Sequence, residues 1–174
     1  MTRIVSSDGL ISSLKDAWLF IDTSSLVAAF NYKDEFSTLF KDLSDKNCTF
    51  LTIPSVLFEF TRGSDTRKVF NTRTEFVTDL TNLYPIDRHL DKLEQQIILI
   101  QKLAPRTSHT DFLLIMCLLK FPPAHLLTEN HKDMPLAILD RIHIITIDTD
   151  NQIRNQAIYQ LNQQKYRRQL AKLT

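Results

Sequence analysis

Three acidic residues occupy positions where a parallel α/β sheet gathers its functional groups. Asp22 directly follows the apolar run 17–21, and Asp111 begins the most apolar helical stretch of the chain. Glu59 lies one to two turns into the helix predicted after the run 49–53. Because ligands of open α/β sheets bind beyond the carboxyl ends of the strands, we expect the three carboxyl groups to share one cleft.

Each of these acids also has an ordinary structural explanation. Asp22 could only cap a helix, and Glu59 could face solvent near a helix N-terminus. Asp111 completes an S-x-x-D capping box with Ser108. The polar turn after the run 125–128, which carries Thr128, Asn130 and Asp133, would normally need no function. The functional interpretation therefore depends on the four features occurring together.

Carboxylates held close together repel one another, so such a cluster is retained mainly around a cation. The chain has five histidines, without a metal-binding spacing, and two cysteines, too few for a thiolate zinc site. Carboxylate oxygens without nitrogen or sulfur partners suit a hard ion. The sequence thus predicts a Mg²⁺ or Mn²⁺ site.

Apolar β-like runs alternate with helical stretches along the chain, which predicts a parallel sheet with helices on both faces. Pro85 makes the third strand an edge strand, because proline cannot donate to a neighbouring strand. We expect one domain over 17–150, preceded by an extension over 1–16. A final helix over 151–174, capped by Asp150, belongs to the same domain. The predicted strands are 17–21, 49–53, 83–86, 125–128 and 142–147, and the predicted helices before the last are 24–31, 34–46, 55–61, 64–82, 90–103 and 108–120.

Composition excludes several other functions. The 174 residues include 21 Lys and Arg against 20 Asp and Glu, so contact with a polyanion requires a local patch. Two glycines are too few for a dinucleotide-binding turn, a phosphate loop or a nucleophile elbow. No apolar run approaches the roughly 20 residues that span a bilayer, and the N-terminus does not look like a signal peptide. We expect a cytoplasmic protein that does not contact a membrane.

Four segments, in this order, resemble the PIN-domain ribonucleases over about residues 17–147. They are Ile21-Asp-Thr-Ser-Ser-Leu26, Ile53-Pro-Ser-Val-Leu-Phe-Glu59, Ser108-His-Thr-Asp111 and Leu126-Leu-Thr-Glu-Asn130. Most PIN domains of this size resemble the toxin of VapBC-type toxin–antitoxin pairs. The resemblance implies a three-layer α/β/α sandwich whose parallel sheet has four to five strands in the order 3-2-1-4-5. It also implies a Mg²⁺- or Mn²⁺-dependent endoribonuclease.

The resemblance assigns a role to each site residue. Asp22, Glu59 and Asp111 match the family's catalytic, metal-binding acids. Asn130 takes the fourth catalytic position and Asp133 a further metal-binding position, with Ser24 and Thr128 as accessory residues. An asparagine binds metal more weakly than a carboxylate, so the family's second metal site is in doubt here. The implied partners are an RNA substrate, a cognate antitoxin and a second copy of the chain.

Other interpretations remain open at the level of sequence. The chain could be a PIN-like RNA-processing or RNA-binding protein with a weakened metal site, and not a toxin. A response-regulator receiver usually has two adjacent acids after its first strand, and a dehalogenase-type phosphatase has D-x-D there, where this chain has Asp22-Thr-Ser24. The basic stretch Lys165–Lys172 could bind RNA or be a solvated face.

Overall fold

The computed structural model describes residues 4–5, 13–85, 94–149 and 152–173. The predicted cap Asp150 and parts of the predicted segments 83–86, 90–103 and 1–16 lie outside these ranges. The strands are β1 (Ile4–Val5), β2 (Trp18–Ile21), β3 (Thr49–Thr52), β4 (Asn82–Leu83), β5 (His125–Thr128), β6 (Leu139–Thr149) and β7 (Gln152–Leu161). The helices are α1 (Thr23–Asn31), α2 (Lys33–Asp45), α3 (Pro54–Thr61), α4 (Arg67–Leu80), α5 (Glu94–Leu103), α6 (His109–Lys120) and α7 (Gln163–Leu170).

The seven strands form one mixed sheet in the order β1-β6-β7-β5-β2-β3-β4. Strands β5, β2, β3 and β4 are parallel to one another, with Phe20 opposite both Leu51 and Leu126. Strands β7, β6 and β1 continue the sheet in antiparallel pairing. The prediction of an α/β fold is therefore confirmed.

The parallel half of the sheet consists of β4, β3, β2 and β5. These strands correspond to the first four strands expected from the sequence, and they lie in the expected order. The third of them, now β4, is one of the two edge strands of the sheet and pairs with β3 through Asn82 and Leu83. This agrees with the prediction from Pro85, which follows it closely. The parallel half brings the carboxyl ends of β2, β3 and β5 to one edge of the sheet.

Two predictions about the C-terminal part are wrong. The predicted helix over 151–174 is largely strand β7, and helical structure is confined to Gln163–Leu170 in this region. The fifth predicted strand, within β6, does not lie next to β5, because β7 inserts between them and pairs with both. The predicted order 3-2-1-4-5 therefore fails beyond β5, and in place of a parallel sheet of four to five strands the described residues form a mixed sheet of seven. Tertiary packing explains why this segment is a strand and not a helix, because residues 156–159 are all buried between β5 and β6.

The N-terminal segment also contributes to the sheet. Strand β1 pairs antiparallel with β6, with Ile4 opposite Ile147 and Val5 opposite Thr146. The predicted extension over 1–16 thus supplies an edge strand, although most of it lies outside the described residues.

The hydrophobic core lies between the sheet and its helices. Phe20, Ile21 and Leu127 are fully buried at its centre. Helix α6 buries eight of its residues, including Cys117, as the apolar run predicted. Burial raises the pKa of the Cys117 thiol to about 12, so this cysteine is an inert core residue. Among the described residues, no helix is both long enough and apolar enough to cross a membrane.

Candidate active site

Asp22 lies directly after β2 and caps helix α1. Its Oδ1 accepts a hydrogen bond from the Thr23 backbone N–H at 2.6 Å. Its Oδ2 accepts from the hydroxyls of Ser24 at 2.7 Å and Thr128 at 2.8 Å. The carboxylate is only 4% exposed. Asp22 is therefore both the expected helix cap and a buried carboxyl group at the carboxyl edge of the parallel strands.

Glu59 connects two helices, α1 and α6, from its position on a third. Its Oε2 accepts a hydrogen bond from the Thr23 hydroxyl at 2.9 Å, and its Oε1 accepts a short bond from the Thr110 hydroxyl. Thr23 belongs to α1 and Thr110 to α6, whereas Glu59 itself lies on α3. Glu59 is exposed to solvent, as expected for a glutamate on a helix surface. Its hydrogen bonds nevertheless hold its carboxylate at the same edge of the sheet as Asp22 and Asp111.

Asp111 lies in the first turn of α6, whose N-cap is Ser108. The Ser108 Oγ accepts from the Asp111 backbone N–H at 3.1 Å, which confirms the predicted cap. The Asp111 Oδ2 accepts from the Ser108 hydroxyl at 2.9 Å and from the Asn130 side-chain amide at 3.0 Å. The residue is 5% exposed. Asp111 therefore connects α6 to the turn after β5.

The negative charges of the site act on one another. Burial, as the main cause, and the neighbouring charge of Asp22 raise the pKa of the Asp111 carboxyl from its ordinary value to about 6. Asp133 and Glu59 contribute in the same direction, whereas the hydrogen bond from Ser108 opposes the shift. The structure thus brings Asp22, Glu59 and Asp133 within electrostatic range of Asp111, at the edge predicted from the strand ends.

The turn after β5 is held to the site by hydrogen bonds. The Thr128 hydroxyl accepts from the Asn130 backbone N–H at 2.9 Å while it donates to Asp22. The Glu129 backbone N–H donates to the Ser24 Oγ at 3.1 Å. The Asp133 backbone carbonyl accepts from the Thr107 hydroxyl at 3.3 Å. Ser24 and Thr128 therefore fix Asp22, and Asn130 fixes Asp111.

A second set of contacts, which sequence reasoning missed, supports this turn from β7. The Glu129 carboxylate accepts hydrogen bonds from Arg154 at 2.9 Å and from the buried Gln156 at 2.6 Å. Gln156 accepts in turn from the Ser25 hydroxyl. The Arg154 guanidinium lies 4.8 Å from the centre of the Tyr32 ring. No motif indicates these residues, because β7 itself was not predicted.

The donor set suits a hard cation in type but is not arranged as a finished metal centre. Asp22 and Asp111 offer the carboxylate oxygens that Mg²⁺ prefers. Within the part of the chain that the structure describes, no three His, Cys, Asp or Glu side chains form a group that could hold a metal ion. Hydroxyl and amide hydrogens occupy Oδ2 of both aspartates. A cation bound at either Oδ2 atom would therefore have to share that oxygen with these donors or displace them.

Ser108→Ala is expected to cost about 1 kcal/mol of unfolding free energy, because the cap of α6 is lost. It should also raise the pKa of Asp111, since the Ser108 hydroxyl stabilises the charged carboxylate. Thr66→Ala is the matched control, since Thr66 caps α4 through the Val69 N–H and does not contact the acids. Denaturant unfolding and a carboxyl NMR titration measure the two effects. If the pKa of Asp111 is the same in Ser108→Ala as in the wild type, the Ser108 hydroxyl does not stabilise the Asp111 carboxylate.

No protein-family model matches the chain, and no curated protein or solved structure matches it either. The resemblance to PIN-domain ribonucleases accordingly stays a prediction from the four sequence segments. The function has to be inferred from the chain's own residues and from the edge of the sheet where they meet.

Proposed function

We propose that this protein is a Mg²⁺- or Mn²⁺-dependent endoribonuclease built on a PIN-like three-layer sandwich. One observation carries the proposal. The buried carboxyl of Asp111 lies within electrostatic range of Asp22, Glu59 and Asp133, at the edge where the parallel strands β2, β3 and β5 end. Ligand sites of α/β sheets lie at this edge.

The energetic cost of the cluster supports a functional role. Asp22 and Asp111 are almost completely buried, and neither has an Arg or Lys salt bridge among the described residues. For Asp111 a neutral amide would cost less to bury, because its oxygen can accept the same two hydrogen bonds without a charge. Asp22 accepts hydrogen bonds at both carboxylate oxygens, but its burial without a salt bridge is costly as well. Retention of the charges is explained if they neutralise a cation that is absent from the protein alone.

In this proposal Asp22 and Asp111 hold the ion together with Glu59, and Asp133 adds charge beside them. A bound Mg²⁺ or Mn²⁺ lowers the pKa of a water molecule and offsets charge on the scissile phosphate. The chain's other residues orient the acids. Ser24 and Thr128 fix the rotamer of Asp22, and Asn130 at the fourth catalytic position directs its amide hydrogen to Asp111.

The proposed substrate is single-stranded or loop RNA, whose backbone is free to adopt the in-line geometry of attack. By the same resemblance we propose a toxin that acts in the cytoplasm as a homodimer and is inhibited by a cognate antitoxin. The acid cluster provides a physical reason for such inhibition, because an antitoxin arginine could pair bidentately with its carboxylates and replace the metal.

A PIN-like RNA-binding protein without nuclease activity is the second candidate. The hydrogen bonds that Asp22, Glu59 and Asp111 already accept from side-chain donors favour it, as does the lack of a three-ligand group among the residues described. In this case the carboxylates would stabilise the turn after β5 and the starts of α1 and α6, and no ion would be needed.

Cleavage of an unstructured, end-labelled RNA separates the two candidates. We expect the purified protein to cut internal phosphodiester bonds with Mg²⁺ or Mn²⁺ and to lose this activity in EDTA, because the acids alone repel the phosphate. The loss in EDTA also excludes a metal-independent contaminating nuclease. RNA that is bound but remains intact with either metal would identify the second candidate instead.

A further inference from the structure

A cavity of about 620 Å³ adjoins the acid cluster, between α5 and the start of α6. Ile97 and Gln101 of α5 line it, together with Ser108, the N-cap of α6, and with His109 and Phe112 of that helix. The Ser108 hydroxyl both lines the cavity and donates to the Asp111 carboxylate at 2.9 Å. A ligand in the cavity would therefore lie one side chain away from the proposed site of cleavage.

The lining suits an uncharged, flat group with polar edges. None of the described residues that line the cavity is Lys, Arg, Asp or Glu, and among them His109 alone has a side chain that can carry a charge. Ile97 and the ring of Phe112 are half-buried and supply apolar contact area. Gln101, Thr107 and His109 add an amide, a hydroxyl and an imidazole. The cavity is open to solvent, and polar and apolar atoms line it about equally, which suits a ligand with an apolar face and polar edges.

We propose that this cavity binds one nucleobase of the RNA substrate, next to the bond that is cut. This inference rests on the proposed function and names the part of the substrate that the site recognises. The base would pack its face on Phe112 and present its hydrogen-bonding edge to Gln101. Since only an unpaired base can leave its stack at low cost, the cavity would restrict the enzyme to single-stranded RNA.

Two substitutions test the cavity without touching the acids. Phe112→Leu removes the aromatic face and keeps an apolar side chain, and it should weaken RNA binding about 5- to 100-fold. Gln101→Glu replaces the amide donor by a carboxylate of the same shape and should change the ranking among bases. Phe70→Leu and Gln95→Glu are matched controls, because both residues are exposed and outside the cavity lining.

Binding is measured by fluorescence anisotropy with four labelled hexanucleotides, each of one base, in EDTA and again with Ca²⁺. Circular dichroism and thermal unfolding verify that each variant is folded. We expect the two cavity variants, and neither control, to differ from the wild type. The proposal is overturned if the cavity variants bind all four RNAs like the wild type in both conditions, or if the wild type binds none of them.

The same data separate this inference from the proposed function. A change of base preference in Gln101→Glu, together with no metal-dependent cleavage by the wild type, would retain the base-binding cavity and reject the nuclease. Cleavage that is lost in EDTA but unaffected by both cavity variants, with unaltered RNA binding, would retain the nuclease and reject the cavity.

Discussion

Asp22→Asn is expected to lower the rate of RNA cleavage at least about 100-fold, because it removes a charge that holds the ion while leaving the site's shape intact. Asparagine is as good a helix cap as aspartate, so α1 should keep its start at Thr23. Single-turnover cleavage at saturating Mg²⁺ and Mn²⁺, with Kd for Mn²⁺ measured separately, shows whether the loss comes from the ion.

Asp79→Asn is the matched control for this variant, because Asp79 is exposed on α4 and makes the same change of charge away from the acids. It should cleave RNA at the wild-type rate. If purified Asp22→Asn cuts as fast as the wild type and that activity is still lost in EDTA, then Asp22 does not bind the catalytic metal and the proposed active site is wrong.

Asp111→Asn is expected to act in opposite directions on activity and stability. Cleavage should fall as for Asp22→Asn, but the free energy of unfolding at pH 8 should rise by about 1–2 kcal/mol. The pKa of Asp111 in the folded protein is about 6, against an ordinary value of about 3.9. The folded state therefore disfavours the charged carboxylate. The expected gain in stability is smaller than the whole pKa shift would give, because solvent screens part of the interaction.

The direction of this stability difference follows from its dependence on pH. Because the folded protein binds the Asp111 proton more tightly than the unfolded chain, wild-type stability decreases as pH rises from about 4 through 6. Asp111→Asn lacks this loss, so the two proteins should be equally stable near pH 4 and diverge up to about pH 7. Denaturant unfolding at several pH values measures it. Equal stability at pH 8 would show that the buried charge is compensated within the protein.

The positions of the acids could be predicted because they depend on local order along the chain. A strand followed by a helix places the residue between them at the carboxyl edge of the sheet, and this rule located Asp22 and the turn at Asn130. The cap of α6 by Ser108 follows likewise from a four-residue pattern. Parallel pairing of β2 with β3 and β5 then brings the carboxylates together.

The C-terminal part could not be predicted, because its structure depends on distant partners. In β7, Ile153, Ala157, Ile158 and Leu161 recur at intervals of about four residues, which is typical of a helix. Burial between two strands overrides this pattern, since ten residues of β7 pair with β6. The Glu129–Arg154 ion pair depends on the same arrangement and has no local signal.

The position of β7 also constrains the order in which the chain can fold during synthesis. Strand β5 is buried along its whole length, and one of its edges is completed only by Ala157–Gln160. A nascent chain that has emerged only as far as β6 therefore carries an apolar strand with unpaired backbone groups, which is prone to join a strand of another chain. Until β7 is made, protection of that edge depends on a chaperone or on transient pairing with β6.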